Sequence, residues 1–359
     1  MEEDSESNQE PVQKKIYLRC VFIKIFKVDT VNENYYAEIF LQAKWREPLL
    51  DNECDYKNID LKNFWNPKLR IENIFTENKV SVSLEVSYSE KEGVAYLMEK
   101  RRVKASFHEI LELKHFPFDC QDLSIIVTTE YSSDYVDLME SPHDPSKLNV
   151  SDGIESQEWS LYSHVEVLKD RLKNDCNIGP EERSILIFTC RASRRFRYFL
   201  INHFLISSIF FLLTFTSFSI ISTNAFGRLQ LCMTTLLTSV TFKVAVSQSL
   251  PKIPYLTYLD KTILGNIFMI MCVCMWHAGT AIFYFNTSIS TDATVERIRN
   301  VELILIPSIL SFYGLAVMVY SIIIYYDAGT RRREMAVKDA EFEKAWKKVR
   351  SVEIPCDVC

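Results

Sequence analysis

Four long runs of this chain contain no aspartate, glutamate, lysine or arginine, and they limit the possible folds more than any other feature. A helix needs ~20 residues to cross the ~30 Å hydrocarbon core of a bilayer. The first, third and fourth runs exceed that length, whereas the second ends before Lys243, is shorter and is the least hydrophobic. Runs of this kind predict membrane-spanning helices. We expect four spans, at about 198–222, 229–250, 262–285 and 303–326.

The chain before the first run is different, because charged residues occur throughout it. Apolar residues there recur at every second position, which is the period of a β-strand with one buried face. Residues 16–196 are therefore expected to form an all-β, immunoglobulin-like sandwich, and residues 197–326 an all-α bundle of four membrane helices. The alternation is seen at Val21, Ile23 and Ile25, at Val82, Leu84 and Val86, at Leu123, Ile125 and Val127, and at Ile185 and Ile187.

Both ends of the chain are charged. Residues 1–15 are acidic, and we expect them to form a disordered tail. The segment before Ile16 has no apolar core of the kind that a signal peptide needs. Residues 327–359 are expected to form a charged C-terminal tail. Within it, residues 330–352 place Met335, Phe342, Trp346 and Val349 on one face of a possible helix, which either lies on a membrane surface or another domain or is solvated.

The composition argues against several classes of function. A formal net charge of −6 gives no basic surface for nucleic acid. The spans contain no paired carboxylates for acid–base catalysis, so we expect neither enzyme activity nor a cofactor. Cys272 and Cys274 point to different faces of a helix. Cys356 and Cys359 have no second ligand pair nearby, so no metal site is expected.

Residues 116–121, with the sequence Phe-Pro-Phe-Asp-Cys-Gln, resemble the FPFDxQ signature of the pentameric ligand-gated (Cys-loop) channel family. Three further segments resemble the family in the same order: 28–32 followed by Trp45, the WxP segment 65–67, and the linker 250–257 after the second span. The two positions of the loop disulfide hold Glu109 and Leu123, so that bridge cannot form. Bacterial members of the family also lack it.

The resemblance implies a homo- or hetero-pentamer in the plasma membrane, in which each multi-pass chain keeps its N-terminal domain extracellular. Each chain then contacts four identical or homologous subunits and membrane lipid. A small-molecule or proton agonist binds between subunits and opens a pore for inorganic ions. The alternative is a non-conducting accessory or binding subunit, with a β-sandwich on a four-span anchor.

The family's pore is lined by the second span, and one stripe of this span has polar and apolar residues at helical spacing. Glutamine and threonine rings would substitute for lost hydration, whereas leucine and valine rings would close the path by dewetting. The alternative is a polar helix in a non-conducting bundle. The predicted pore-lining residues are Gln230, Thr234, Leu237, Thr241, Val244 and Gln248.

Selectivity is expected to depend on Phe226, Gly227 and Arg228, at the cytoplasmic end of this span. Cation-selective relatives usually have Glu before the basic residue, and anion-selective relatives commonly have Pro-Ala-Arg. The sequence matches neither pattern fully, so the sign of the permeant ion stays open.

The ligand-binding positions that the resemblance implies are poor in aromatic residues, which disfavours a quaternary amine held by cation–π contact. Carboxylates at these positions could instead bind a primary amine or titrate. The candidates are Glu72, Glu130, Tyr131, the 174–182 hairpin with Cys176, and Phe40 on the facing subunit.

Gating requires contact between the base of the sandwich and the membrane helices. The resemblance assigns this coupling to four elements, and we favour Arg197 as the partner of Asp119 or Asp29, since partly buried ion pairs are sensitive to geometry. The coupling candidates are Asp29, Val31, Phe116, Pro117, Phe118, Asp119, Arg197, Pro251 and Tyr255.

Overall fold

The computed structural model divides the chain into two compact units. The first contains the chain up to Leu111, Gln121–Ser193 and the residues from Met335 onward; the second contains Glu112–Cys120 and Arg194–Glu334. The described residues are 13–51, 59–89, 93–142, 144–149, 158–173, 182–248, 250, 252–286 and 292–352.

The first unit contains a two-sheet β-sandwich. Its strands are β1 (Lys14–Asp29), β2 (Asn34–Arg46), β3 (Leu69–Ile71), β4 (Ile74–Ser89), β5 (Val94–His108), β6 (Cys120–Thr129), β7 (Val136–Glu140), β8 (Lys147–Leu148), β9 (Trp159–Lys173) and β10 (Glu182–Arg194). One sheet has the order β4-β5-β2-β1-β7, with β8 also paired to β1. The other has the order β3-β6-β10-β9. This arrangement agrees with the predicted sandwich.

The alternation that predicted strands does not always mark the buried face. On β6 the alternating residues Leu123, Ile125 and Val127 are fully buried. On β1 the core side chains before Phe22 have the opposite parity to Val21, which is only half-buried. A register shift between Phe22 and Lys24 then moves the buried face, because an extra residue reverses the side-chain parity of a strand.

The second unit contains the helices expected to cross the membrane. They are α1 (Arg197–Ser219), α2 (Ala225–Ser247), α3 (Tyr258–Asn286) and α4 (Asp292–Val352), and each has a stretch long and apolar enough to span a bilayer. Asn224 begins α2, because its side-chain Oδ1 accepts a hydrogen bond from the N–H of Gly227 at 3.0 Å. Phe211 on α1, Cys232 on α2 and Ile270 on α3 share one buried cluster.

The fourth helix is longer than the predicted span. It has 61 residues, and it passes through Pro307 and Gly329 without ending. The segment that the sequence indicated as a charged tail therefore continues the helix up to Val352. Because charged residues of both signs occur beyond Thr330, they allow a solvated helix.

Candidate functional site

The predicted pore stripe lies on one exposed face of α2. Gln230, Thr234, Leu237, Thr241, Val244 and Gln248 are all exposed in the single chain. Leu237 is 68% exposed and Val244 52% exposed, so each is covered in the membrane either by lipid or by another protein surface. The threonine hydroxyls of Thr234 and Thr241 donate to the carbonyls four residues earlier, at 2.8 and 2.9 Å.

The opposite face of α2 packs inside the subunit. Its buried residues are Arg228, Cys232, Ser239 and Val246. At about 100° per residue, this stripe lies roughly 180° from the predicted pore stripe. The helix therefore holds its place in the bundle with one face and leaves the other for a neighbouring surface.

Arg228, one of the three predicted selectivity residues, is only 2% exposed. Its guanidinium forms a two-point ion pair with Glu302 of α4, with a Nη2–Oε2 distance of 3.1 Å. Its Nε donates to the carbonyl of Ile220 at 2.8 Å. The charge is thus compensated within the subunit, whereas Phe226, two residues earlier, is 79% exposed.

The loop at residues 116–119 belongs to the membrane unit and packs on its aromatic residues. Phe116 is 1% exposed, and its ring centroid lies 4.8 Å from that of Phe199. Pro117 is also buried. The ring of Phe118 lies 5.0 Å from the ring of Phe196. This signature loop is therefore anchored by side-chain packing at the start of the first span.

Asp119 binds Arg194, and not the predicted Arg197. The Nε and Nη2 of Arg194 lie 2.9 and 3.4 Å from the two carboxylate oxygens of Asp119. Both side chains are at least 95% buried. Arg332 of α4 donates to the backbone carbonyl of Arg194 at 2.6 Å. Arg197 is exposed, and within the described part of the chain it forms no ion pair.

Three other coupling candidates have contacts or exposures that the structure describes, namely Asp29, Val31 and Tyr255. In the sandwich unit, the carboxylate of Asp29 accepts from the backbone N–H of Val31 at 3.1 Å and from Lys27 Nζ at 2.9 Å. The Lys27 bond keeps the pKa of Asp29 below its ordinary value. Val31 is 51% exposed. In the membrane unit, the hydroxyl of Tyr255 accepts from the N–H of Leu113 at 3.1 Å.

Pro251 lies outside the described residues.

An aromatic cluster surrounds one of the ligand candidates. The Tyr131 ring stacks on Trp65 at 5.6 Å and lies 5.5 Å from Tyr135. Lys14 Nζ lies 4.1 Å from the centroid of Trp65, and Lys68 Nζ lies 5.8 Å from that of Tyr131. The cluster's cation-binding faces are therefore in contact with the chain's own lysines. The sequence interpretation treated Trp65 only as part of the WxP segment.

The remaining ligand candidates do not form one site in the single chain. Glu130 is exposed and lies 3.6 Å from Lys68 Nζ, whereas Glu72 lies 3.9 Å from Arg70 Nε. Phe40 is half-buried on β2, with its side chain on the face opposite to its buried neighbours. Cys176 and residues 174–181 lie outside the described residues.

Glu109 is a titratable residue that the sequence interpretation missed as a candidate site. It is half-buried, and burial raises the pKa of its carboxyl group to about 7, with nearby Asp122 acting in the same direction. The Ser124 N–H donates to Glu109 Oε2 at 2.9 Å and opposes part of this shift. The carboxyl group therefore titrates near neutral pH.

The sequence of this chain is similar to a protein-family model and to a bacterial protein. The model of the family described as "Neurotransmitter-gated ion-channel ligand binding domain" matches residues 3–196. A proton-gated ion channel of Gloeobacter violaceus is 26% identical over 298 residues, which cover 81% of this chain and 74% of that protein.

Proposed function

The chain belongs to the neurotransmitter-gated ion-channel family, and on that basis we propose that acid opens a pore lined by α2 in the pentamer that it forms. Membership makes the chain a subunit of a pentameric ligand-gated channel, with an extracellular ligand-binding domain followed by four membrane-spanning helices. Members of this family are not enzymes. Beyond family membership, we propose that α2 lines the pore and that protons are the agonist.

The observation that carries the pore assignment is the division of α2 into two faces. One face is buried inside the subunit, and the opposite face exposes the polar side chains of Gln230, Thr234 and Thr241, which lipid does not favour, together with Leu237 and Val244. A fivefold arrangement of α2 covers this face with its own copies. Threonine and glutamine rings then alternate with apolar constrictions along the path.

Under this proposal, the charge of Arg228 does not determine which ions pass through the pore. Its positive charge is paired with Glu302 inside the subunit, so it contributes little to the field in the pore. We therefore propose that selectivity depends on the uncharged rings at Phe226 and Gln230, which are both exposed on α2. These rings do not by themselves fix the sign of the permeant ion.

Protons are the proposed agonist because a carboxyl group in the sandwich is poised to bind them. The similar Gloeobacter violaceus protein is named a proton-gated ion channel. In this chain, Glu109 has a pKa of about 7, so it changes charge as the pH falls below neutral. Protonation removes the free-energy cost of a partly buried charge and so favours conformations in which Glu109 stays buried.

The test is replacement of Glu109 by glutamine, which resembles the protonated carboxyl group. We expect the pH of half-maximal current to rise by roughly half a unit or more, since less acid is then needed. Glu72→Gln and Glu130→Gln are matched controls, and both remove one carboxylate from the same unit. A midpoint unchanged by Glu109→Gln but shifted by either control would refute the assignment of Glu109 and favour the sequence-predicted site.

The same variant gives a stability test that does not depend on current. The pKa of Glu109 is raised in the folded protein, so its contribution to stability is complete below its unfolded pKa of ~4.3 and is lost as the pH rises through about 7. We therefore expect the wild-type protein to lose more thermal stability between pH 4 and pH 8 than Glu109→Gln does. Equal losses would contradict the raised pKa.

A further inference from the structure

The C-terminal part of α4 has polar contacts that a membrane span does not need. At ~1.5 Å per residue, its 61 residues extend about 90 Å, whereas the hydrocarbon core of a bilayer is ~30 Å thick. A large part of α4 therefore lies outside the hydrocarbon. From Met335 onward the helix belongs to the same compact unit as the β-sandwich.

Asp339 is the centre of these contacts. Its Oδ1 accepts hydrogen bonds from the N–H and the hydroxyl of Ser163, both at 2.7 Å, and from the N–H of His164 at 2.9 Å. The Nδ1 of His164 lies 3.2 Å from the same oxygen. Hydrogen bonds to an ionised carboxylate are roughly twice as strong as neutral ones. This set satisfies two backbone donors of β9 with one side chain of α4.

Neighbouring contacts support the same docking. Met335 is 6% exposed, and His164 is 5% exposed although its ring is polar. Lys338 Nζ lies 3.4 Å from Glu166 Oε1 on β9. The helix therefore contacts β9 at Ser163, His164 and Glu166. These three contacts fix the position of the helix along the strand.

The docked strand adjoins a charged network in the sandwich. Arg191 on β10 lies 2.5 Å from Glu166 and 3.0 Å from Asp122 on β6. Asp122 is near enough to Glu109 to influence its titration. Chain connectivity places β9 directly before the 174–182 hairpin, one of the ligand-binding candidates of the sequence interpretation.

We propose that residues Met335–Lys344 form a strap that docks on β9 through Asp339 and restrains the strand that leads into the ligand hairpin. Because α4 is continuous, the strap is part of the same helix as the fourth span, and its own contacts with β9 are hydrogen bonds and an ion pair. The docking is a property of the fold, whereas its influence on channel opening rests on the proposed function. The two parts are tested separately.

Docking is tested by hydrogen–deuterium exchange on the purified full chain. Asp339→Ala removes the acceptor, and we expect exchange at the Ser163 and His164 amides and in residues 335–344 to become at least about tenfold faster. Glu341→Ala is the matched control, since Glu341 is exposed on the same helix and loses the same charge. Exchange that is unchanged in Asp339→Ala, or equally faster in both variants, would overturn the docking.

A milder variant covers the case in which Asp339→Ala does not fold. Ser163→Ala removes only the hydroxyl donor and leaves both backbone N–H groups, so we expect a smaller increase in exchange confined to the same two segments. No increase there would count against the strap.

The regulatory part is tested by acid-evoked current. We expect Asp339→Ala to shift the pH of half-maximal current by a measurable fraction of a unit and Glu341→Ala to leave it unchanged. Faster exchange with an unshifted midpoint would overturn the regulatory part and leave the docking. If wild-type protein gives no current, the proposed function fails, while the exchange data still decide whether the strap docks.

Discussion

Replacing Asp119 with alanine should prevent the chain from forming a stable pentamer at the cell surface. Asp119 is 2% exposed and Arg194 is 5% exposed, and they form a two-point ion pair. Breaking a buried ion pair by removing one partner costs about 3–5 kcal/mol. Arg194 also lies 4.9 Å above the ring of Phe116, so its displacement disturbs the packing of the signature loop.

The measurement is surface expression together with thermal unfolding of the purified protein. Arg197→Ala is the matched control, because Arg197 is exposed three residues away and should change stability by no more than about 0.5 kcal/mol. Arg194→Lys keeps the charge but cannot form both hydrogen bonds, so an intermediate loss is expected. Equal losses in Asp119→Ala and Arg197→Ala would restore the sequence prediction that favoured Arg197.

Replacing Glu302 with glutamine should destabilise the membrane unit by a similar amount. Glu302 is 6% exposed and Arg228 is 2% exposed, and the pair joins α4 to the beginning of α2. The indole N–H of Trp276 also lies 3.5 Å from Glu302 Oε1. An unpaired arginine inside a membrane bundle is costly, so we expect a loss of about 3 kcal/mol and reduced recovery of the pentamer.

The recovery and thermal unfolding of detergent-purified pentamer check this result. Glu296→Gln is the control, since Glu296 is exposed near the start of the same helix. The double variant Arg228→Gln with Glu302→Gln should be more stable than Glu302→Gln alone, because it leaves no unpaired charge. If the double variant loses as much as the sum of the two single variants, the residues are not coupled as the structure indicates.

The sequence pattern did not identify Arg194 as the partner of Asp119, because the alternating residues it singled out on this strand, Ile185 and Ile187, have the opposite parity. The last strand of the sandwich buries Phe188, Cys190 and Ala192 at alternate positions, and Arg194 has the same parity. Arg197 comes after the strand, where this alternation no longer applies. The buried face that brings Arg194 to Asp119 is therefore defined by the fold and not by the alternation read from the sequence.

The titration of Glu109 could not be predicted from the sequence in the same way. Its raised pKa depends on burial and on Asp122, which is thirteen positions along the chain and reaches it only through the fold. The sequence instead favoured Glu72 and Glu130, which are carried over from the family's ligand positions. The docking of Asp339 is similar, since Ser163 lies far away in the sequence and no local pattern links the two.

The four spans and the sandwich were predictable because both depend on local patterns. The length of a charge-free run indicates whether a helix can cross a membrane, and apolar residues at every second position indicate a strand with one buried face. The sequence indicated a possible helix over 330–352 but not its continuity with the fourth span, because a change from apolar to charged residues marks the end of a span and not the end of a helix.

Acid-evoked current through a modified pore tests the central claim most directly. Thr241→Cys places a thiol on the exposed stripe of α2, whereas Ser239→Cys places one on its buried face, where Ser239 is 4% exposed. We expect an acid step from pH 7.4 to about 4.5 to open a current. A charged, membrane-impermeant thiol reagent should then block it in Thr241→Cys but not in Ser239→Cys or the wild type. Pentamers at the surface that give no current under acid, or a current that modification of Thr241→Cys leaves unchanged, would contradict an acid-opened pore lined by α2.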